Sequence, residues 1–462
     1  MRREEIRAAI ERDPDAIVEL IIGLMAEVEE LKRRLGQNSE NSSLPPSKDL
    51  PDARKVRRRQ RSGRKPGGQS GHPGRSRELV KDPDRRLQHP PERCDGCGGD
   101  LAGGELVGEP VVHQVWELPA VVSTVTEHQR LRVRCSCCGR VTLAAVPDGV
   151  PAGAFGPNLS ATIVGLSAHM SREQVARFVS DMFGCPITAA SVEAVCKRAS
   201  DALAEPCQEL AQAVREQPVV HADETSWRWP AQTRWLWVAT SEQIAVYLLA
   251  SSRAATVAKE LLGEQFGGML VSDRYSGYAW IDPEHRQACW AHLARTFEGI
   301  GERDGRVGKL GRALRAATSQ MLAADRAHKA DGQLVAWCEP GMIEHHNQLL
   351  DLIERGSRIH DPKTSRLCDG LLAFWPALWH FTEIPDVDAT NNRAERAIRF
   401  GVLLRNRTGG TRTDHGDRYI ERLLTVRETC RLQARSFHRY LRDAITAALH
   451  HHAAPSLLPS GP

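Results

Sequence analysis

No stretch of these 462 residues is apolar for long enough to cross a membrane. The densest early run, AIVELIIGLM over 16–25, is short and carries Glu19, and no basic segment leads into a clean apolar core, so a membrane span and a secretory signal are both excluded. Any strong excess of charge is lacking too: 62 Lys+Arg stand against 58 Asp+Glu, so where the charge sits says more than its total. No internal repeat is visible. Twelve cysteines without a secretory signal argue against a disulfide framework, so clustered cysteines read first as metal ligands in a cytoplasmic protein. With 41% hydrophobic and 26% charged residues the profile is that of a globular chain, and its length exceeds what one core usually serves.

Acidic residues are absent from 53–77, where ten Lys/Arg are mixed with Gly and Pro that oppose regular structure. Like charges repel, and such an arm becomes favourable against a polyanion, where each neutralised phosphate releases counterions. Arg57, Arg58, Arg59, Arg61, Arg64 and Lys65 are therefore expected DNA contacts, although a solvated linker has the same composition. Before the arm, Ile17, Ile21, Leu24, Val28, Leu31 and Leu35 alternate spacings of four and three, a short coiled-coil seam that predicts a homo-oligomer. An amphipathic helix packed on its own domain is the alternative.

After the arm, Cys94/Cys97 and Cys135/Cys138 stand at C-x-x-C spacing, each pair followed by Gly, as in the two knuckles of a zinc ribbon. Cys137 competes with Cys138 for the fourth position. One Zn²⁺ held by four thiolates would be structural. Residues 171–200 have a helix-turn-helix layout: Ser171 caps the first helix, Gly184 ends it, and Thr188 or Ser191 opens the second, which offers Lys197 and Arg198 to DNA. Generic helical hairpins look much the same.

From 216 onward strands are expected at 218–223, 233–240, 243–250 and 268–273, with a short apolar stretch at 286–289 leading into the helix WAHLARTFEGI. Two of these strands end on aspartate, Asp223 in VVHADETSWRW and Asp273 in GGMLVSDRYSGY, as adjacent strands would if they presented carboxylates together. Alternation puts Asp223 with His221 on one face and leaves Glu224 on the other, as a supporting or surface residue. Glu395, early in the helix NNRAERAIRF, is the third candidate. Three such carboxylates repel unless a divalent cation lies between them. Singly each has an ordinary explanation, including a capping box of Asn392 with Glu395.

The ordered set RKPGGQSGHPG, the paired knuckles, HADETSWR, VSDRYSGY, CWAHLARTF, TNNRAERAIR and RNRTGGTR resembles the bacterial insertion sequence 66 family of DDE transposases, from about residue 20 to about 445. The resemblance implies a multidomain protein whose α/β RNase H-like core is interrupted by a helical insertion before the last acid and preceded by coiled coil, zinc ribbon and helix-turn-helix. It implies Asp223, Asp273 and Glu395 as catalytic ligands of two Mg²⁺ (or Mn²⁺) ions, with His292, Arg295, Trp227, Arg228 and Asn392 in support and Arg405 and Arg407 on DNA. His292 and Arg295 would contact phosphate, and Trp227 and Arg228 would stack on or clamp DNA; packing beneath the sheet is the other role open to them. Ser70, where the family commonly has Pro, and the extra cysteine of CSCCG are departures from the pattern.

The implied division is a coiled-coil helix at 1–40, basic arm at 41–90, ribbon at 91–150, helix-turn-helix at 151–210, first core part at 211–300, insertion at 301–386, last core part at 387–450 and a tail. The implied partners are double-stranded DNA as terminal inverted repeats and target, with accessory proteins of the same element, at the bacterial nucleoid. Two other functions fit the same motifs: a DNA-binding regulator with an inactive core, and an RNase H-like nuclease without joining activity.

Overall fold

The computed structural model describes residues 24, 25, 27, 28 and 78–459 apart from 120, 152, 231 and 331–339. Of the coiled-coil seam only Leu24 and Val28 are described, both helical and exposed, and the basic arm with Arg57 to Lys65 lies outside the described residues. No helix among the described residues is long and apolar enough to cross a membrane.

The region after the arm has little regular structure. Two strands, β1 (Arg132–Arg134) and β2 (Val141–Leu143), pair antiparallel around the second cysteine pair. Four helices follow: α1 (Pro157–Ser167), α2 (Arg172–Phe183), α3 (Ala189–Ala202) and α4 (Ala204–Arg215). Their ends follow local chemistry. Ser171 and Gln174 form a reciprocal capping box on α2, Gly184 closes it in the left-handed region, and the Thr188 hydroxyl accepts from the Ser191 amide at the start of α3. The helix α4 runs across residue 210, where the sequence suggested a division.

A five-stranded sheet forms the centre of the chain, in the order β5-β4-β3-β6-β7. Its strands are β3 (Val219–Trp229), β4 (Gln232–Thr240), β5 (Ala245–Ala250), β6 (Met269–Ser272) and β7 (Arg286–Ala288). The first three form an antiparallel meander; after the crossover helix α5 (Ala255–Leu262), β6 and β7 add in parallel on the other side of β3. Where β3 meets β6 and β7, alternation sends the two faces to different cores. Val220, Ala222 and Leu270 join an apolar cluster shared with α1–α4, while Met269, Val271 and Ala288 join one with the helices after β7.

Those helices are α6 (Trp290–Gly301), α7 (Gly305–Ala330), α8 (Pro340–Ser357) and α9 (Pro362–Leu372). The chain then returns as α10 (Asn392–Thr408), which packs on β3 and β4, followed by α11 (Asp414–Leu432) against β5 and α12 (Phe437–Leu449). The architecture is mixed α/β.

Candidate active site

Parallel pairing of β3 with β6 sets Val219 opposite Met269 and His221 opposite Val271. Carried two residues past that last pair, the same offset of fifty residues brings Asp223 level with Asp273. Asp273 follows the last residue of β6, as expected, and its Oδ1 accepts from the Tyr275 amide at 2.9 Å. Asp223 differs from expectation: it lies inside β3, which continues to Trp229. The reason is β4, which pairs with β3 from His221 to Trp229, while Thr225, Trp227 and Trp229 maintain the alternation past the acids. The β6 partner ends at Ser272, so Asp223 sits where one edge of β3 loses its neighbour.

Asp223 is partly buried, and its carboxyl is pushed well above the usual range by burial first, then by the negative charges of Glu224, Asp273 and Glu395. Its Oδ1 accepts from the Glu224 amide at 2.9 Å. Glu224 is not a surface residue. Its side chain is 1% exposed, accepts from Arg253 Nε at 2.9 Å and from the Tyr278 hydroxyl at 2.8 Å, and has its pKa raised by burial and by Asp273 despite those bonds.

Glu395 sits on the first turn of α10. Arg295 Nη2 approaches its Oε1 at 3.4 Å and His292 Nδ1 at 3.6 Å, so these two α6 residues, one helical turn apart, meet the third acid. Burial and the nearby Arg295 lower the His292 pKa, against the opposite pull of Asp273 and Glu395. Two backbone links hold the helix starts together: Trp290 N donates to Ala389 O at 2.9 Å, and Asn391 N donates to Cys289 Sγ at 3.2 Å.

The capping box expected of Asn392 and Glu395 is absent, and the neighbouring asparagine makes the bonds at this helix start. Asn392 is exposed, and α10 has no side-chain cap. Asn391, 1% exposed, donates from Nδ2 to Ala222 O at 2.7 Å and meets His221 Nδ1 through Oδ1 at 3.2 Å. It ties the helix that carries Glu395 to the strand position just before Asp223. His221 itself, with its pKa lowered to about 4 chiefly by burial, stands 3.9 Å from Asp388. The paired asparagines of TNNR were the only sequence signal for this link.

Trp227 takes the packing role: it is 1% exposed in the core, with its indole N–H donating to Thr411 Oγ1 at 2.8 Å. A tryptophan on a strand covered by α10 gains more from burial than from exposure. Arg228 is exposed, and its charge lowers the pKa of half-buried Arg405 alongside desolvation. Arg405 donates to Thr225 Oγ1 at 3.4 Å and to the carbonyl of Ser226, which ties α10 to β3; exposed Arg407 reaches His169 O at 3.3 Å. On α3, Lys197 and Arg198 are exposed, with Arg198 lying against Gly153.

Each cysteine pair forms a tight turn. The amides of Cys97 and Gly96 lower the Cys94 thiol, and those of Cys138 and Cys137 lower Cys135, an arrangement that favours thiolates. Among the described residues, the group of three metal-ligating side chains whose donor atoms lie within 4.8 Å of one another is Cys289, His292 and Glu395.

A family model described as the zinc-finger binding domain of transposase IS66 matches residues 91–139, which supports a structural zinc at the knuckles, and a family of unknown function (DUF6444) matches 1–78. An uncharacterized protein, y4hP of Sinorhizobium fredii (strain NBRC 101917 / NGR234), is 26% identical over 427 residues, covering 80% of this chain and 72% of its own. Two solved structures, the Mos1 strand transfer complex and the Mos1 transposase paired-end complex with left transposon end, match 52% of this chain and 82% and 83% of theirs. Their identities are 12% and 11%, and the TM-score of 0.11 for each is too low to bear on the fold. The model described as Transposase IS66 family matches residues 152–419, more than half of the sequence and all three candidate carboxylates, and the chain belongs to that family.

Proposed function

We propose that this transposase-family chain cuts DNA at the terminal inverted repeats of its own element and joins the freed 3′ ends to target DNA, with Asp223, Asp273 and Glu395 as the metal-binding triad. The observation that carries the reading is the β3–β6 register, which sets Asp223 level with Asp273, combined with the electrostatic pressure of both Asp273 and Glu395 on Asp223. The sheet order, an antiparallel meander continued by two parallel strands, supports the RNase H-like core that the motifs imply, with α7–α9 between the second and third acids as its helical insertion.

The donor set fits divalent magnesium or manganese. Three carboxylates offer hard oxygen ligands, and the penalty that burial and mutual repulsion place on Asp223 is what a bound cation offsets. Asp223, Asp273 and Glu395 would hold two such ions between them. When bound, the ions activate a water or a 3′-hydroxyl and stabilise the leaving oxygen. The chain's own residues orient the site. Asn391 fixes α10 on β3, Arg253 and Tyr278 hold Glu224 as an occupied acceptor, and Arg295 holds Glu395 until the ligand set assembles.

Around the site, Arg228, Arg405 and Arg407 supply positive charge for phosphate, with Lys197 and Arg198 on the second helix of a helix-turn-helix and the arm residues as further contacts. A structural zinc on Cys94, Cys97, Cys135 and Cys138, a homo-oligomer through the N-terminal seam, and accessory proteins of the same element complete the proposal. Asp223→Asn tests it: DNA binding persists, and Mg²⁺-dependent strand cleavage and transfer of a labelled 3′-hydroxyl end are lost. Retained cleavage removes Asp223 from the mechanism. A wild-type chain that shifts DNA without nicking or joining it is a regulator, and one that nicks without joining is a nuclease.

A further inference from the structure

The α6 helix begins at a C-x-x-H pair. Cys289 occupies its N-cap position and His292 its first turn, so thiol and imidazole share a face. The start of α10 crosses this end, and the crossing delivers Glu395 to the same spot, with its Oε1 3.6 Å from His292 Nδ1. Thiol, imidazole and carboxylate donors all lie within 4.8 Å of one another. Around a tetrahedral zinc with bonds of about 2.0–2.3 Å, donor atoms stand roughly 3.2–3.8 Å apart, so the three need close by no more than about 1–1.5 Å. His292 Nδ1 is buried and makes no hydrogen bond, as a nitrogen kept for another partner would be.

We propose that Cys289, His292 and Glu395 form a second metal site, distinct in chemistry from the carboxylate triad, that takes a thiophilic divalent cation of the Zn²⁺ class. Sulfur and imidazole select zinc, cobalt or cadmium over magnesium, which takes oxygen ligands. Three protein ligands leave the fourth tetrahedral position for water. Cys289 is 1% exposed, whereas the side chains of His292 and Glu395 are 36% and 35% exposed, so the ion arrives from the His292–Glu395 side and meets the sulfur last. The Asn391 amide already donates to Cys289 Sγ at 3.2 Å, a bond that strengthens when the thiol releases its proton to solvent and becomes a thiolate ligand. Arg295 shares Glu395 Oε1 and is the group that the cation displaces.

The consequence rests on the catalytic reading. Glu395 cannot serve both sets of ligands, so zinc at this site withdraws the third carboxylate and holds the transposase inactive while magnesium is present. The inhibition is reversible by a chelator of soft metals.

The test uses the full chain with its zinc knuckles loaded and excess metal removed. Co²⁺ is added, bound cobalt is counted, and the thiolate-to-cobalt charge-transfer absorption is read. Wild type takes up one more cobalt per chain than Cys289→Ser and shows an absorption that the variant lacks; His292→Ala, at a half-exposed position, gives the same loss without disturbing a buried side chain. Equal uptake and equal spectra in wild type and His292→Ala overturn the site. In a Mg²⁺ cleavage reaction scaled to each protein's own zinc-free rate, half-inhibition of Cys289→Ser needs about 10-fold more Zn²⁺ or beyond, since even outer-shell changes cost about 10–100-fold in affinity. Identical zinc sensitivity overturns the inhibitory role. A wild-type chain that takes up the extra cobalt but cuts no DNA in Mg²⁺ supports the metal site and refutes the catalytic reading instead.

Discussion

Replacing Asp223 by asparagine is expected to stabilise the metal-free protein while abolishing its chemistry. The carboxyl lies among Glu224, Asp273 and Glu395, and burial already opposes its ionised form. Asparagine keeps the Oδ1 acceptor that the Glu224 amide uses at 2.9 Å, so the substitution removes charge without removing that bond. Glu224 is held by Arg253, and Glu395 faces Arg295, which offsets part of their repulsion. What remains is of the size found for relief of unfavourable charge, about 1 kcal/mol, or roughly a 1 °C rise in Tm for a chain of this length. The pH dependence has a definite sign. A carboxyl whose folded pKa is raised contributes stability that is full below its unfolded value of 3.8 and is lost as pH rises through the folded value. The advantage of the asparagine variant in metal-free buffer therefore widens from acid pH towards neutrality. Mg²⁺ reverses the order. Wild type gains about 2.7 kcal/mol when the ion is at 100 times its Kd, and the variant gains much less. Differential scanning calorimetry with EDTA and with Mg²⁺, across pH, measures both effects. A variant that is less stable than wild type without metal, or that gains as much from Mg²⁺, refutes the reasoning.

Asn391→Ala leaves the Ala222 carbonyl and His221 without their partner and costs about 1–3 kcal/mol, whereas Asn392→Ala, at an exposed position, leaves urea unfolding unchanged. The same alanine at 391 loosens Glu395, so the Mg²⁺-induced gain in Tm shrinks as well. Trp227→Phe removes the indole bond to Thr411 and lowers stability by about 1 kcal/mol, with no change in DNA affinity measured by electrophoretic shift. Arg228→Ala does the opposite: stability holds, and the slope of log affinity against log salt falls by about 1.

What was legible in the sequence was local chemistry. The capping box of Ser171 with Gln174, the left-handed Gly184 and the Thr188 cap could be read because each depends on residues within one turn. Asp273 could be placed because β6 ends where the polar turn begins. Asp223 was placed at the wrong point of its strand for a non-local reason: β4 keeps β3 extended after β6 has ended, and no residue near 223 announces how long its partner is. The shift from Asn392 to Asn391 has the same origin. Asparagine beside a helix start reads as a cap, but Asn391 reaches across to β3 and so cannot cap its own helix. Trp227 was legible only as one of two outcomes, and the arrival of α10 and Thr411, far along the chain, decided for burial.

The same limit hides the role of the thiol at 289 beside the histidine that follows it three residues on. C-x-x-H is a recognisable ligand pair, but two donors do not make a metal site, and the third stands on a helix that returns only after α7, α8 and α9. That return is specified by apolar packing, since Trp290, Phe381, Val387 and Ala389 share one cluster, and Trp290 N fixes its end by bonding to Ala389 O. Burial thus brings the two helix starts together, and their polar residues must then coexist in a small space. The charge of Glu395 acts on Asp223 on one side, and its carboxylate lies with Cys289 and His292 on the other. A carboxylate at that junction can answer to hard or soft cations in turn, and the crossing that assembles the proposed catalytic site therefore also makes it sensitive to zinc.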